Sequence, residues 1–301
     1  MSTPQAVRIT GIGRKGPHAV RRPAKAGGAA PLHQVPATLW MRQMGWRHLL
    51  RLASVALGIL AWQLLSTHGV DFVLNFQSLP GPLQVWSVFV QLLHQHDFYL
   101  DIGYSLRRIG IAYLLATVLG IGIGALMGRF RLVQDLVTPY IEILRPIPAV
   151  AWIPLAILML PTEESSIVFI TFLGAFFPIV INTVIGVGQT PKNLVQAARS
   201  LGAGDAAILW HVVLPSALPA ITAGLAVGMG VAWFSLLAGE IISGQYGIGY
   251  FTWNAYSLVQ YPQISVGMLC IGGLGTLSTH SVRLLTRPLL RWQGDKVGAA
   301  Q

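Results

Sequence analysis

Cysteine is all but missing from this chain: Cys270 is the single one among 301 residues. A disulfide framework within the chain is therefore excluded, and a cysteine-ligated metal site has no second thiolate to use. Charge is scarce too, at 10% of residues, against roughly 25% in soluble domains. With 53% hydrophobic residues, too little polar material remains to cover a soluble fold of this size, so lipid is the solvent the composition fits. Acidic residues are absent before Asp71, whereas Arg8, Arg14, Lys15, Arg21, Arg22, Lys25, Arg42, Arg47 and Arg51 precede the first apolar run. The net charge of +10 thus reads as a basic cytoplasmic flank under the positive-inside rule, and nucleic acid is not an expected partner. A phosphate loop of the Gly-x4-Gly-Lys-Ser/Thr kind is also lacking, so nucleotide energy must come from another polypeptide. "GIGRKG" at 11–16 matches a dinucleotide pattern, but it follows no predicted strand and is stopped by Pro17, as a chance match would be.

What the chain does have is long apolar runs. By the measure of about 20 apolar residues per span, six candidates fall near 49–68, 106–128, 140–160, 166–187, 217–240 and 264–286. The fold class expected is an all-α membrane protein, with residues 1–45 as a disordered basic arm, 46–292 as the membrane domain and 293–301 as a short tail. The predicted inner loops hold Arg129, Arg131, Lys192 and Arg199, the tail holds Arg287, Arg291 and Lys296, and the outer segments hold Asp71, Asp97, Asp101, Glu163 and Glu164. Both termini are therefore placed in the cytoplasm of a multi-pass protein. The stretch at 80–100 reads as lying along the outer surface or as an extra tilted span. His94 and His96 within it lack an acidic or cysteine partner at ligand spacing, and no metal site is expected. Gly120, Gly124 and Gly128, like Gly224 and Gly228, recur four apart and form flat stripes where helix backbones approach closely.

Between the fourth and fifth runs lies "TPKNLVQAARSLGAGDAAILWHVVLPSALPAI", 190–221. Thr190 suits an N-cap, Pro191 the first helical position and Gly202 the left-handed position after the last turn, which predicts a helix of about 11 residues. At roughly 16 Å it is too short to cross a bilayer. Leu194, Ala197, Ala198 and Leu201 share one face, Asp205 suits the cap of a second helix, and Pro215 and Pro219 mark the entry to the next span. Physically this is either an interfacial loop packed on lipid or a docking surface whose small alanines admit a partner.

"QAARSLGAGDAAILWHVVLP" resembles the signature loop of bacterial ABC-importer permeases, a Glu-Ala-Ala element followed at fixed spacing by Gly and by an Ile-x-Leu-Pro ending. Gln196, Ala197, Ala198, Gly202, Val212, Leu214 and Pro215 occupy those positions, with Gln196 in place of Glu and Val212 in place of Ile. "LRPIPAVAWIPLAIL", "FFPIVINTVIGV", "GEIISGQYGIGYFTWNA" and a closing "RW" are similar to the nitrate, sulfonate, taurine and bicarbonate branch, while "MLP" at 159–161 departs from its usual Trp-Phe-Gly. The resemblance implies a type I importer permease fold in the bacterial inner membrane. It implies a homodimer with two cytoplasmic ATPase subunits and an external solute-binding protein. This chain would bind no cofactor, ATP and Mg residing on the ATPases. The loop at 188–215 would be the coupling segment, with Gln196, Ala197, Ala198, Arg199, Leu201, Gly202, Asp205, Leu214 and Pro215 as its docking residues. A small oxyanion is the expected solute, a vitamin precursor the alternative. A secondary transporter would instead show inverted repeats, which are not evident.

Charged groups inside spans are costly, which makes them candidates for the pathway or its gate. Glu240 closes the fifth run. Glu142 and Arg145 stand three apart on one helical face, where mutual neutralisation is the simpler expectation. Arg107 and Arg108 lie near the outer end of the second run, where they would snorkel to headgroups or attract an anion.

Overall fold

The computed structural model describes residues 37–68 and 79–293. Residues 1–36, including the glycine motif and most of the expected arm, lie outside the described residues, as do Asp71 and the tail beyond Gln293. The chain divides into a unit up to Leu57 and a unit from Gly58 onward. The described part of the first unit is helical from Ala37, so α1 (Ala37–His68) begins inside the stretch read as arm. Then follow α2 (Pro82–Leu92), α3 (His96–Arg129), α4 (Arg131–Leu144), a 3-10 turn (Ala149–Trp152), α5 (Ile153–Met159), α6 (Glu163–Gly188) and α7 (Lys192–Ser200). After α8 (Asp205–Ile208), a wide π turn (Leu209–Val213) leads into α9 (Leu214–Ser243), and α10 (Ile248–Ser257) and α11 (Tyr261–Thr286) complete the fold before a closing 3-10 segment at Arg287–Gln293. Among the described residues there is no strand.

Four helical segments are long and apolar enough to cross a membrane: Leu49–Thr67, His96–Arg129, Glu163–Gly188 and Asp205–Ile242. The expected span at 140–160 is instead a pair, Arg131–Leu144 and Ala149–Met159, bent by 89°, which makes five if it counts as one. Pro146 and Pro148 explain the break, since each lacks a donor and disfavours helix in the residue before it. The sixth expected run is α11, 26 residues long; its glycines, serines and threonines keep it less apolar than the others. The stretch at 80–100 resolves into α2, too short to span at 11 residues, and the first turns of α3, which starts ten residues earlier than expected because His96–Ser105 continue the helix.

Helix α6 lies between α3 and α9. It starts at a capping box, in which the Thr162 hydroxyl accepts from the Ser165 amide and the Ser165 hydroxyl from the Thr162 amide. Gly120, Gly124 and Gly128 of α3 meet Ile179, Thr183 and Val187 of α6 in the same order along both chains, so the two helices run parallel. Gly174 and Gly186 of α6 meet Ser235 and Ala217 of α9, and Gly224 and Gly228 of α9 meet Asn182 and Ile179, an antiparallel pairing. The glycine stripes are packing surfaces, as expected. Around them Ala116, Ala175, Ile179, Leu225, Ala232 and Leu236 are buried. On the lipid side α3 exposes Leu114 (64%) and Val118 (63%), tolerable because the surroundings are apolar.

At Gly124 an added Cβ would come within 2.7 Å of Thr183 Cβ and 2.8 Å of the Val180 carbonyl, a backbone atom that cannot rotate away. Gly124→Val is expected to destabilise the detergent-solubilised protein by about 1–3 kcal/mol. Gly122→Ala, one helix face away with nothing within 4 Å, should leave stability unchanged or raise it by up to ~1 kcal/mol. Thermal unfolding of both variants checks this, and equal midpoints would contradict the packing described.

Candidate functional site

The end of the bundle that holds Gly128 and Val187 carries the predicted coupling segment. Helix α7 runs Lys192–Ser200, slightly shorter than expected, with Pro191 at the cap position. Thr190 does not cap it: its buried hydroxyl has no hydrogen-bond partner. The other end matches expectation. Gly202 adopts φ +83°, the Gly202 amide donates to the Arg199 carbonyl at 2.9 Å, and the Ala203 amide donates to the Ala198 carbonyl at 3.0 Å. This is a Schellman closure, and the left-handed residue it needs is glycine.

The closure fixes which face of α7 looks out. Val195, Ala198, Ala203 and Leu209 lean on the core around Ile208, Val213 and Ala217. Leu194, Gln196 and Ala197 are exposed, and Leu201 is 89% exposed. Of the expected apolar face only Ala198 packs inward, together with Val195, and Leu194, Ala197 and Leu201 are left uncovered. Asp205 is not the cap of α8; Gly204 holds that position and Asp205 opens the first turn. Its carboxylate instead accepts from Arg129, at the end of α3, and from Arg199 at 3.3 Å. These exposed pairs add little stability on their own, but they orient the elbow against α3. Leu214 and Pro215 begin α9 without a break, because the π turn at Leu209–Val213 absorbs the proline. Asp205 to Ile242 is one continuous helical run.

The opposite end holds a buried ionic cluster. Asp101, Ser105 and Arg108 stand four and three apart on one face of α3 and are all buried. Arg108, 2% exposed, donates from Nε to Glu164 Oε2 at 3.0 Å and from Nη2 to Glu164 Oε1. Its Nη1 donates to Glu240 Oε1 at 3.0 Å and to the Tyr246 carbonyl. Glu240, 1% exposed, also accepts from the Ser105 hydroxyl at 2.7 Å and from the Gly249 amide at 2.9 Å. The Gly247 amide donates to Asp101 Oδ1 at 2.9 Å, and the Ile248 amide to Ser105 Oγ at 3.0 Å. Three amides at the start of α10, which have no partner within their helix, are thereby satisfied. Gly247 sits at φ +122°, and any Cβ there would strike the Glu240 carboxyl at 2.4 Å. The Tyr104 and Tyr246 rings stack at 5.0 Å beside Arg108.

Arg108 therefore turns inward and does not snorkel: the helix begins at His96, so this residue lies three turns inside it. Arg107 is exposed. Asp101, Ser105, Glu164, Gly247 and Gly249 are members of the cluster that sequence reasoning did not single out. The i, i+4, i+7 spacing of Asp101, Ser105 and Arg108 was the one signal available. Glu142 and Arg145 are both exposed on α4 and at its end, and they form no ion pair with one another, so the expected neutralisation does not occur. They lie apart from the cluster of Arg108 and Glu240. His94, in the turn after α2, bonds through Nδ1 to the Val90 carbonyl of that helix. No group of three or more metal-ligating side chains occurs among the described residues.

The family described as "Binding-protein-dependent transport system inner membrane component" matches residues 116–292. A probable ABC transporter permease protein of Brucella abortus (strain 2308) is 38% identical over 244 residues, covering 81% of this chain and 95% of that protein. The bicarbonate transport system permease protein CmpB of Synechococcus elongatus is 34% identical, covering 81% and 90%. The taurine transport system permease protein TauC of Escherichia coli (strain K12) is 32% identical, covering 85% and 96%. Among solved structures, a chain of the MetNI methionine ABC transporter in an inward-facing conformation matches with a TM-score of 0.54 over 63% of this chain and 94% of that one. At 19% identity that likeness concerns the fold alone.

Removing one partner from a buried charge pair leaves the other uncompensated. Arg108→Ala is accordingly expected to cost about 3–5 kcal/mol and to speed hydrogen exchange at the amides of 247–249. Arg107→Ala, one position away and exposed, should stay within about 0.5 kcal/mol of the parent. Similar losses for the two arginines would refute the cluster.

Proposed function

The chain belongs to the family of binding-protein-dependent transport system inner membrane components, and from that premise we propose how it is moved and what it carries. It is the permease subunit of an ABC importer, a multi-pass inner-membrane transport subunit and not an enzyme. In our reading it works as a homodimer with two cytoplasmic ATPase subunits and an external solute-binding protein. ATP and Mg are held by the ATPases, and the pathway opens alternately to the two sides. The segment 188–215 is the coupling loop: a groove of the ATPase takes the exposed face of α7, with Gln196, Ala197, Ala198, Arg199 and Leu201 as contacts.

The observation that carries this reading is the uncovered face of α7, ending in Leu201 at 89% exposure and locked in orientation by the cap at Gly202. A leucine so exposed at a helix end is explained by a partner surface. When two ATPases close on ATP, paired coupling loops are drawn together, and the permease state that fits the closed pair is favoured by the difference in affinity. The solute we assign is a small oxyanion, such as bicarbonate, nitrate or a sulfonate, supported by the relatives named for bicarbonate and taurine import. Both termini face the cytoplasm in this arrangement, as the run of basic residues before Arg51 supports.

Gly202→Val tests the coupling. A β-branched residue in the left-handed region costs on the order of 1–2 kcal/mol, and it is relieved by opening the cap. ATP-driven uptake should then fall while the protein still inserts and unfolds like the parent. Uptake at the parent rate, with ATPase co-purification undiminished, would contradict this role for α7.

A further inference from the structure

Helix α4 has no buried residue, which is unusual for a helix in the middle of a membrane protein. Its sequence has two faces. At 100° per residue, Arg131, Gln134, Asp135, Thr138, Glu142 and Arg145 fall within an arc of about 100°. Leu132, Leu136, Tyr140 and Ile143 lie away from that arc and are 71%, 62%, 68% and 69% exposed. The polar arc runs the whole length of the helix. Its four charges, Arg131, Asp135, Glu142 and Arg145, make no ion pair among the described residues.

An amphipathic helix lying flat in a headgroup layer would show the same pattern, but the path of the chain excludes that here. Helix α3 ends with Gly128 beside Val187, the last turn of α6, and α4 begins three residues later. After the bend, Ala149 and Val150 pack against the cluster that Ile153 and Ala156 form with Ile170, in the first third of α6. Ile170 and Val187 are 17 residues apart, roughly 25 Å along α6. Only α4, at about 21 Å, and the short link 145–148 are available to cover that distance. Helix α4 therefore crosses the membrane steeply, and it carries a charged stripe across it.

Such a stripe cannot face hydrocarbon, where each charge costs at least ~2.5–3.5 kcal/mol at the membrane centre. The apolar arc serves for lipid, and the polar arc requires water or a polar ligand. We infer that the polar face of α4 lines the transport pathway, and that Arg145, at the bend and level with the interior of α6, is the contact for the oxyanion. This rests on the importer reading above and names the site that reading leaves open. The guanidinium is a planar fork of donors that matches two oxygens of a carboxylate, sulfonate or nitrate. Arg108 on α3 is buried, with its guanidinium already shared among Glu164, Glu240 and the Tyr246 carbonyl, and Arg107 beside it is exposed but belongs to α3 and not to this stripe. Glu142, one turn below Arg145, repels an anion and so favours the bend over the rest of the stripe.

The test uses the complete importer, with its ATPase and binding protein, reconstituted in vesicles in a Cys270→Ser background. Gln134→Cys, Thr138→Cys and Glu142→Cys should react with a membrane-impermeant thiosulfonate at least about tenfold faster than Leu136→Cys and Ile143→Cys, which face lipid. Equal rates on the two faces, or a polar face blocked because it is packed dry against a second copy, would overturn the pathway assignment. Uptake of isotopically labelled nitrate, bicarbonate and taurine is then followed in Arg145→Gln and Arg145→Lys. For the anion carried, Arg145→Gln should lower uptake by about ten- to hundredfold, with ATPase assembly unchanged and partial recovery in Arg145→Lys. Parent-like uptake in Arg145→Gln overturns the anion contact alone. Failure of the parent importer to carry any of the three overturns the oxyanion assignment. The Gly202 variant reads the coupling mechanism separately, so its failure would leave the labelling pattern standing.

Discussion

In hydrocarbon an apolar side chain gains little by exchanging lipid for another apolar side chain, so membrane helices are held by close approach and by hydrogen bonds. The contact of α6 with α3 and α9 follows from that constraint. Glycine on one helix meets a Cβ or a carbonyl on the other at Gly120, Gly124, Gly128, Gly174, Gly186, Gly224 and Gly228, so the three backbones lie closer than larger residues would permit. A trio packed this way does not bend gradually. Packing this close favours movement of the three helices as one body, since tightly packed interiors resist gradual deformation.

That rigidity gives the two polar ends their meaning. At one end α7 leans on the trio through Val195 and Ala198 and shows Leu201 to the outside. At the other, Arg108, Glu164 and Glu240 tie α3, α6 and α9 to the start of α10. One helical run, Asp205–Ile242, reaches from the first end to the second. A push on α7 thus acts on an element whose far end carries Glu240. We read Glu240 and Arg108 as a clamp that keeps α10 with the trio, not as solute contacts. Helix α4 stands outside the trio and buries no residue of its own, which suits a wall that solvent and solute pass along.

How much of this was visible in the sequence depended on the range of the interaction. The apolar runs, the glycine stripes and the left-handed Gly202 are local features, and hydropathy and backbone sterics act on neighbours in sequence. Cap chemistry is local too, yet at Asp205 a tertiary contact overrides it, drawing the carboxylate to Arg129, 76 positions away, while at Thr190 Pro191 takes the cap position instead. The cluster was illegible because its members come from four elements; Ser105 and Glu240 are 135 positions apart. Placing the second span at 106 sets Arg108 at a helix end, where snorkelling is the natural reading, although α3 begins at His96 and more than three turns of it precede Arg108. The polar arc of α4 is hidden for a related reason. A single span drawn over 140–160 cut the helix off from Arg131, Gln134, Asp135 and Thr138, leaving Glu142 and Arg145 looking like an isolated pair.

The central claim is that an ATPase moves this chain by its exposed helix α7. Spin labels at Ser200→Cys, an exposed position at the end of α7 outside the named contacts, in a Cys270→Ser background, report the separation of the two coupling helices in the assembled importer. The account predicts a shorter distance with ATP bound than without nucleotide. A distance distribution that ATP leaves unchanged, in an importer shown to be transporting, would contradict it.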